Sequence, residues 1–120
     1  MPTLSNMLDQ PLTHSFTDGK SEGTTILKLV GPLTLSTMFG FQNEFHAKMP
    51  QVMIVDLSES PYMDSAGLGL LMNYYVSAEG HGRKLLVAGA NERISSLMEM
   101  TKVDNVLKSF PTVDAAESSL

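Results

Sequence analysis

Ser65 stands directly after a carboxylate and just before two glycines, in the stretch Met63-Asp-Ser-Ala-Gly-Leu-Gly69. A serine hydroxyl in that setting can serve as a cap, a nucleophile or a phosphate acceptor. Apolar residues precede the stretch and Leu70-Leu-Met-Asn-Tyr-Tyr-Val76 follows it, so Ser65 falls where a buried strand hands over to a helix. A helix start exposes unpaired N–H groups and a partial positive charge. A serine there caps the helix with its own oxygen. The same place takes a phosphate, whose oxygens accept from those N–H groups. Gly67 and Gly69 each cost the helix about 1 kcal/mol against alanine. In exchange they leave the turn bare, so that another protein comes close to Ser65. On spacing alone, capping and phosphate acceptance stand level.

The other reactive residues point nowhere in particular. Gly19-Lys20-Ser21 resembles the end of a phosphate-binding loop, but His14 stands where the first glycine belongs, and no apolar strand precedes it. It reads as an exposed turn. His14, His46 and His81 are scattered over different elements, and no acidic pair has the spacing of a metal site. Ser65 is not in a G-x-S-x-G elbow, because position 63 is Met. The absence of cysteine removes thiolate metal sites, disulfides and a cysteine nucleophile. The expectation is no catalytic residue, no cofactor, no metal and no ATP hydrolysis.

A chain of 120 residues, 42% hydrophobic and 18% charged, has the size and composition of one folded domain. A net charge of −5 with only eight Lys and Arg argues against nucleic acid as the main partner. No apolar run is long enough to cross a bilayer, and the N-terminus lacks a basic region followed by an apolar one. The expected location is the cytoplasm, with any membrane role exercised through a partner.

The elements that must position Ser65 follow from local pattern. Residues 1–12 read as an arm or a first edge strand, and residues 13–120 as a single domain. Asp18 to Gly23 is a turn by composition. Thr24–Val30 has the β-branched content of a strand, stopped by Gly31-Pro32. Leu35–Lys48 reads as a helix with Ser36 as N-cap and Met38, Phe41, Phe45 and Met49 at helical spacing. Gln51–Leu57 and Lys84–Ala88 are short continuous apolar runs that suit strands covered on both faces, and Met53-Ile-Val55 and Leu85-Leu-Val87 are expected side by side. Ser58–Tyr62 is a loop, and the helix after Ser65 closes at Gly80-His-Gly82. Asn91 caps a further helix to about Thr101. Val106–Phe110 is a last short strand, and Thr112 starts a terminal helix. Strands alternating with helices imply an α/β fold with right-handed crossovers and a mostly parallel sheet.

Val55-Asp-Leu-Ser58 followed by Tyr62-Met-Asp-Ser-Ala-Gly-Leu-Gly-Leu-Leu71 resembles the signature of the STAS domains, the sulfate-transporter and anti-sigma-factor-antagonist family. Gly31-Pro-Leu33, Lys84–Gly89, Asn91–Met100, Thr101–Asp104 and Val106–Phe110 resemble its remaining segments, so the likeness runs from about residue 24 to 118. It implies a mixed, mostly parallel sheet of four to five strands with helices packed mainly on one side. For stand-alone bacterial members it implies an anti-sigma factor antagonist. Such a protein binds an anti-sigma factor with serine kinase activity, so that a sigma factor is released. Phosphorylation of the serine matching Ser65 ends that binding, and a serine phosphatase restores it. Many antagonists carry an acidic residue shortly after the glycine of the first helix-leading loop, where this chain has Thr34. The alternative implied by the family is a non-switching STAS scaffold in a transporter or stress-signalling assembly. Ser58 and Ser60 are rival phosphate acceptors.

At about 100° per residue, Leu68, Leu71, Met72, Tyr75 and Val76 fall on one arc of the helix, expected to face the sheet. Gly67, Leu70, Asn73, Tyr74 and Ser77 fall on the opposite arc. The expected partner-binding set is therefore Asp64, Ser65, Gly67, Leu70 and Tyr74, with the last two as apolar anchors on a wet face.

Overall fold

The computed structural model describes residues 10–120, so most of the expected N-terminal arm lies outside the described residues. Five strands form one sheet: β1 (Thr13–Asp18), β2 (Thr24–Val30), β3 (Val52–Glu59), β4 (Lys84–Ala88) and β5 (Ser109–Phe110). They lie side by side in sequence order. β1 runs antiparallel to β2 across the turn that Asp18–Gly23 was expected to make, and every other pairing is parallel. β1 is the strand that sequence patterning leaves unassigned. Its residues are exposed or half-buried, as at a sheet edge with one wet face, and such a strand lacks a sustained apolar run.

The two apolar runs do pair. Met53 lies opposite Leu85, Ile54 opposite Leu86 and Val55 opposite Val87. Alternation along each strand sends residues to opposite faces. Met53, Val55, Leu57, Leu85 and Val87 enter the larger core, whereas Ile54, Leu86 and Ala88 enter a smaller one behind the sheet. The larger core is roofed by α1 (Gln42–Ala47), α2 (Ser65–Gly80) and α3 (Glu92–Met100), and the smaller by α4 (Val113–Ser118). Helices thus pack mainly on one side, as expected of the STAS-like arrangement.

Two local expectations are corrected. The stretch Leu35–Lys48 is not one helix capped by Ser36. Its first residues form a turn held by Thr37, whose Oγ1 accepts from the Thr34 N–H at 2.9 Å and donates to the Pro32 carbonyl at 2.8 Å. A short 3₁₀ turn, Met38–Gly40, follows, and only then α1. A threonine that bonds neighbouring backbone offers the chain an alternative to the helix ladder. The last strand, Ser109–Phe110, is shorter than Val106–Phe110, because the Val106 and Leu107 N–H groups donate back to the Val103 carbonyl at 3.0 and 2.9 Å, closing the 3₁₀ turn at Val103–Asn105. Asn91 and Thr112 cap α3 and α4 as expected, their side chains accepting from Ile94 N and Ala115 N.

Candidate functional site

β3 carries the chain to the upper edge of the sheet, and two stretches then run alongside each other. Gly31 N–H donates to the Glu59 carbonyl at 3.0 Å, Leu33 N–H to Tyr62 at 3.0 Å, and Asp64 N–H to Leu33 at 3.2 Å. The buried Ser60 hydroxyl donates to the Gly31 carbonyl at 2.7 Å. The loop after β2 is in this way stitched to the loop before α2, and the stitching ends at Asp64.

Asp64, not Ser65, is the N-cap. One carboxylate oxygen accepts from Gly67 N–H at 2.9 Å, and the other accepts from Leu35 N–H at 3.1 Å. Of the two readings left level for Ser65, capping falls away: a carboxylate with two oxygens, on Asp64, satisfies the helix start and the neighbouring loop at once. Ser65 becomes the first helical residue. It is exposed, and its hydroxyl has no hydrogen-bond partner among the described residues. The first N–H groups of the helix, including those of Ser65 and Ala66, have no intrahelical acceptor.

This arrangement sets a test of Asp64. Asp64→Ala removes the cap, worth about 1–2 kcal/mol, together with the Leu35 bond, worth about 1 kcal/mol more. Asp64→Asn keeps one acceptor oxygen and should lose roughly half as much. Urea unfolding is expected to rank the three proteins wild type, Asn, Ala, with unchanged slopes.

The two glycines do different work. A Cβ on Gly67 would lie 2.3 Å from the Leu33 carbonyl oxygen, so only glycine lets the helix start press against the loop. A Cβ on Gly69 would meet nothing within 4 Å. Gly69, not Gly67, is the glycine that bares the surface near Ser65.

The expected faces of α2 are also corrected. Tyr74 is fully buried and Leu70 is 4% exposed, and neither is an anchor on a wet face. The Tyr74 ring stacks on Phe45 with centroids 4.2 Å apart, and its hydroxyl donates to the Lys48 carbonyl at 2.7 Å. Burial pushes the phenol up to about 12, against a weaker opposing pull from Arg83. Leu68 and Leu71 are buried as expected, but Met72 and Tyr75 are half-buried and Val76 is 66% exposed. The inward residues are Gly67, Leu68, Leu70, Leu71, Tyr74 and Ala78. Ser65, Gly69, Asn73 and Val76 lie on the outward arc, and Met72 stands at its border, partly buried and packed against the larger core. The helix is apolar around almost its whole circumference, so periodicity had no direction to report. Leu35 joins the site through its N–H, and nothing in its side chain could have announced this.

The remaining candidates stay apart from this place. The Gly19-Lys20-Ser21 turn is tied to α4, with Lys20 N–H donating to the Glu117 carboxylate at 2.7 Å and Lys20 Nζ 3.3 Å from Asp114. His14 pairs with Glu44, and His81 bonds the Ser77 carbonyl at 2.8 Å. Among the described residues, no group of three or more His, Cys, Asp or Glu could hold a metal ion, and no helix is long and apolar enough to cross a membrane.

The comparisons with known proteins bear on both fold and site. Residues 17–116 match the STAS domain family. The chain is similar to an anti-sigma-B factor antagonist of Listeria monocytogenes, 30% identical over 64 residues, covering 53% of this chain and 56% of that protein. The chain thus spans about half the length of the curated relatives it matches. The crystal structure of an anti-sigma factor antagonist from Mycobacterium paratuberculosis superposes with a TM-score of 0.79 at 21% identity, over 90% of this chain and 92% of that one. The structure of the Bacillus cell fate determinant SpoIIAA in its phosphorylated form superposes with a TM-score of 0.66 at 13% identity, over 89% and 98%. At these identities the solved structures attest the fold alone. With the mostly parallel five-stranded sheet, the Asp64-Ser65 helix start and a match over most of its length, the chain belongs to the STAS domain family.

Proposed function

We propose that this domain is an anti-sigma factor antagonist switched by phosphorylation of Ser65. Unphosphorylated, it binds an anti-sigma factor with ATP-dependent serine kinase activity, and a sigma factor is released. Phosphate on Ser65 ends the binding, and a serine phosphatase restores it. The protein acts in the cytoplasm as a binding module and a substrate, and it is not an enzyme. The observation that carries this reading is the state of Ser65: an exposed hydroxyl, free of hydrogen bonds, at the first position of a helix whose cap is supplied by its neighbour. The likeness to antagonists of the family supports the choice of partner.

Phosphoryl transfer needs the attacking oxygen in line with the leaving group, with the rest of the catalysis supplied by the kinase. Ser65 meets that need without breaking any bond. Ser60 does not, because its hydroxyl is buried and donates to Gly31. Ser58 is exposed but lies within β3. Once transferred, the phosphate sits at a helix N-terminus, where negative charge is favourable by about 0.3–1 kcal/mol. The fold therefore survives the modification, and what changes is the surface.

The test follows Ser65 phosphorylation from γ-labelled ATP through fractions of the native cell extract and purifies the protein responsible. Wild type should be labelled at Ser65. Ser65→Ala should take no label and still bind that kinase. Ser65→Asp should bind it weakly, with its melting temperature kept within a few degrees. Label found by mass spectrometry on Ser58 or Ser60 and never on Ser65 would overturn the assignment.

A further inference from the structure

The start of β4 leaves part of the sheet edge unpaired. In a parallel sheet, successive residues of a strand turn their N–H and C=O groups to opposite neighbours. Lys84 N–H donates towards β3, to the Gln51 carbonyl at 2.9 Å, and Val87 N–H donates the other way, to the Lys108 carbonyl at 3.0 Å. Leu85 shares the direction of Val87, so its N–H and C=O face the β5 side. β5 does not reach them, because its pairing begins at Val87 opposite Ser109. Among the described residues neither group has a partner. Leu85 is only 3% exposed, so solvent scarcely reaches them, and buried backbone groups are paired in the great majority of native structures. The gap opens into a cavity of about 180 Å³ between the last turns of α2 and the segment leading into β5. Tyr75, Leu85, Leu86 and Phe110 give it apolar walls, and Ser119 and Leu120, just after α4, close it. Three charged side chains stand around it, Glu79, Lys84 and Lys108. None of the three is in an ion pair or a side-chain hydrogen bond among the described residues. Glu79 belongs to α2, on the side of the sheet that Leu85 enters, whereas Lys84 alternates with Leu85 and shares the face of Leu86. A carboxylate and an ammonium therefore approach the Leu85 edge from opposite faces.

We infer that this cavity binds a small apolar α-amino acid, which completes the sheet edge at Leu85. An α-amino acid carries a hydrogen-bond donor and an acceptor on either side of one carbon. That is the spacing of the N–H and C=O with which one residue of a strand answers its directly opposite neighbour. The carboxylate accepts from Leu85 N–H and the ammonium donates to the Leu85 carbonyl. Bonds of this kind, with one partner charged, are about twice as strong as neutral ones. Lys84 and Lys108 compensate the carboxylate, and Glu79 compensates the ammonium. The ligand's side chain lies against the apolar walls. The cavity is smaller than the roughly 300–1,000 Å³ of sites for drug-sized ligands, which restricts the ligand to a single amino acid. A simple carboxylic acid leaves the Leu85 carbonyl and Glu79 unanswered, and a simple amine leaves Leu85 N–H and two lysines. The site is independent of Ser65. Glu79 lies fourteen positions further along α2, about 21 Å at the helical rise of about 1.5 Å per residue.

The test titrates the purified chain with L-leucine and follows its backbone amides by NMR. The Leu85 amide should shift and saturate, with a Kd below about 1 mM, while the Ser65 amide stays in place. Hydrogen exchange at Leu85 should slow in the bound state. Isocaproate, which lacks the ammonium, and isoamylamine, which lacks the carboxylate, should each bind about tenfold more weakly or less. L-Serine, without an apolar side chain, should also bind more weakly than leucine. Glu79→Gln and Lys84→Gln should each weaken leucine about threefold or more, with melting temperatures unchanged because both side chains are exposed. Glu92→Gln, exposed at the start of α3, should bind leucine as wild type. No saturable shift at Leu85 up to about 10 mM leucine overturns the site. Isocaproate binding as tightly as leucine, or leucine binding undiminished in both Glu79→Gln and Lys84→Gln, overturns the amino-acid assignment.

Discussion

Tyr74→Ala is expected to cost this domain about 3–5 kcal/mol, within the range for deleting a large buried ring. Domains of this size have on the order of 5–15 kcal/mol in total, so the variant should be partly unfolded at 37 °C. Three contributions are lost together. The ring is fully buried, stacked on Phe45 at 4.2 Å between α1 and α2, and its hydroxyl satisfies the Lys48 carbonyl at 2.7 Å. Tyr74→Phe isolates the last of these and should cost about 1 kcal/mol, the net worth of a part-buried hydrogen bond to the Lys48 carbonyl. It should also change the alkaline limb of the stability curve. A phenol pushed up to about 12 in the folded protein stabilises fully below its unfolded value of about 10 and loses that contribution as pH rises towards the folded value. Urea midpoints measured from pH 9 to 12 should fall more steeply for wild type than for Tyr74→Phe. A mild effect of Tyr74→Ala, below about 1 kcal/mol, would return the ring to the surface and reverse the reading of α2.

Gly67→Ala and Gly69→Ala should move stability in opposite directions, although they are only two positions apart in the same helix. Alanine at Gly67 would place its Cβ 2.3 Å from the Leu33 carbonyl oxygen and 2.9 Å from Leu33 C and Cγ. Backbone cannot yield as a flexible side-chain tip does, so the helix start must lift from the loop. Overpacking of this kind costs about 1–3 kcal/mol, more than the helix propensity that alanine brings. The same displacement should weaken the bond from Leu35 N–H to Asp64, and faster amide exchange at Leu35 would report it. Alanine at Gly69 meets nothing within 4 Å, and it should stabilise by about 0.5–1 kcal/mol through backbone entropy and propensity. Equal effects from the two substitutions would show that the close approach at Leu33 does not constrain the helix.

How much of this was legible beforehand depends on how local each cause is. The two central strands and their adjacency were readable at Met53–Val55 and Leu85–Val87, because a strand buried on both faces must be apolar at successive positions. The helix starts at Asn91 and Thr112 were readable because capping chemistry lies within four residues. The Asp64-Ser65 stretch marked its own strand-to-helix junction for the same reason. The face of α2 was not readable. That helix is apolar on nearly every side, so no hydrophobic direction existed in the sequence, and its inward arc was chosen by distant groups, the Leu33 carbonyl against Gly67 and the Phe45 ring against Tyr74. Nor was the division of labour between Asp64 and Ser65 readable, since the second oxygen of Asp64 is claimed by Leu35, 29 positions away along a different loop. The sequence by itself determined a STAS-like parallel sheet and a serine at a helix start. The tertiary structure alone decided that the serine is left free and which side chains stand around it, because those outcomes depend on backbone groups that only folding brings within hydrogen-bonding distance.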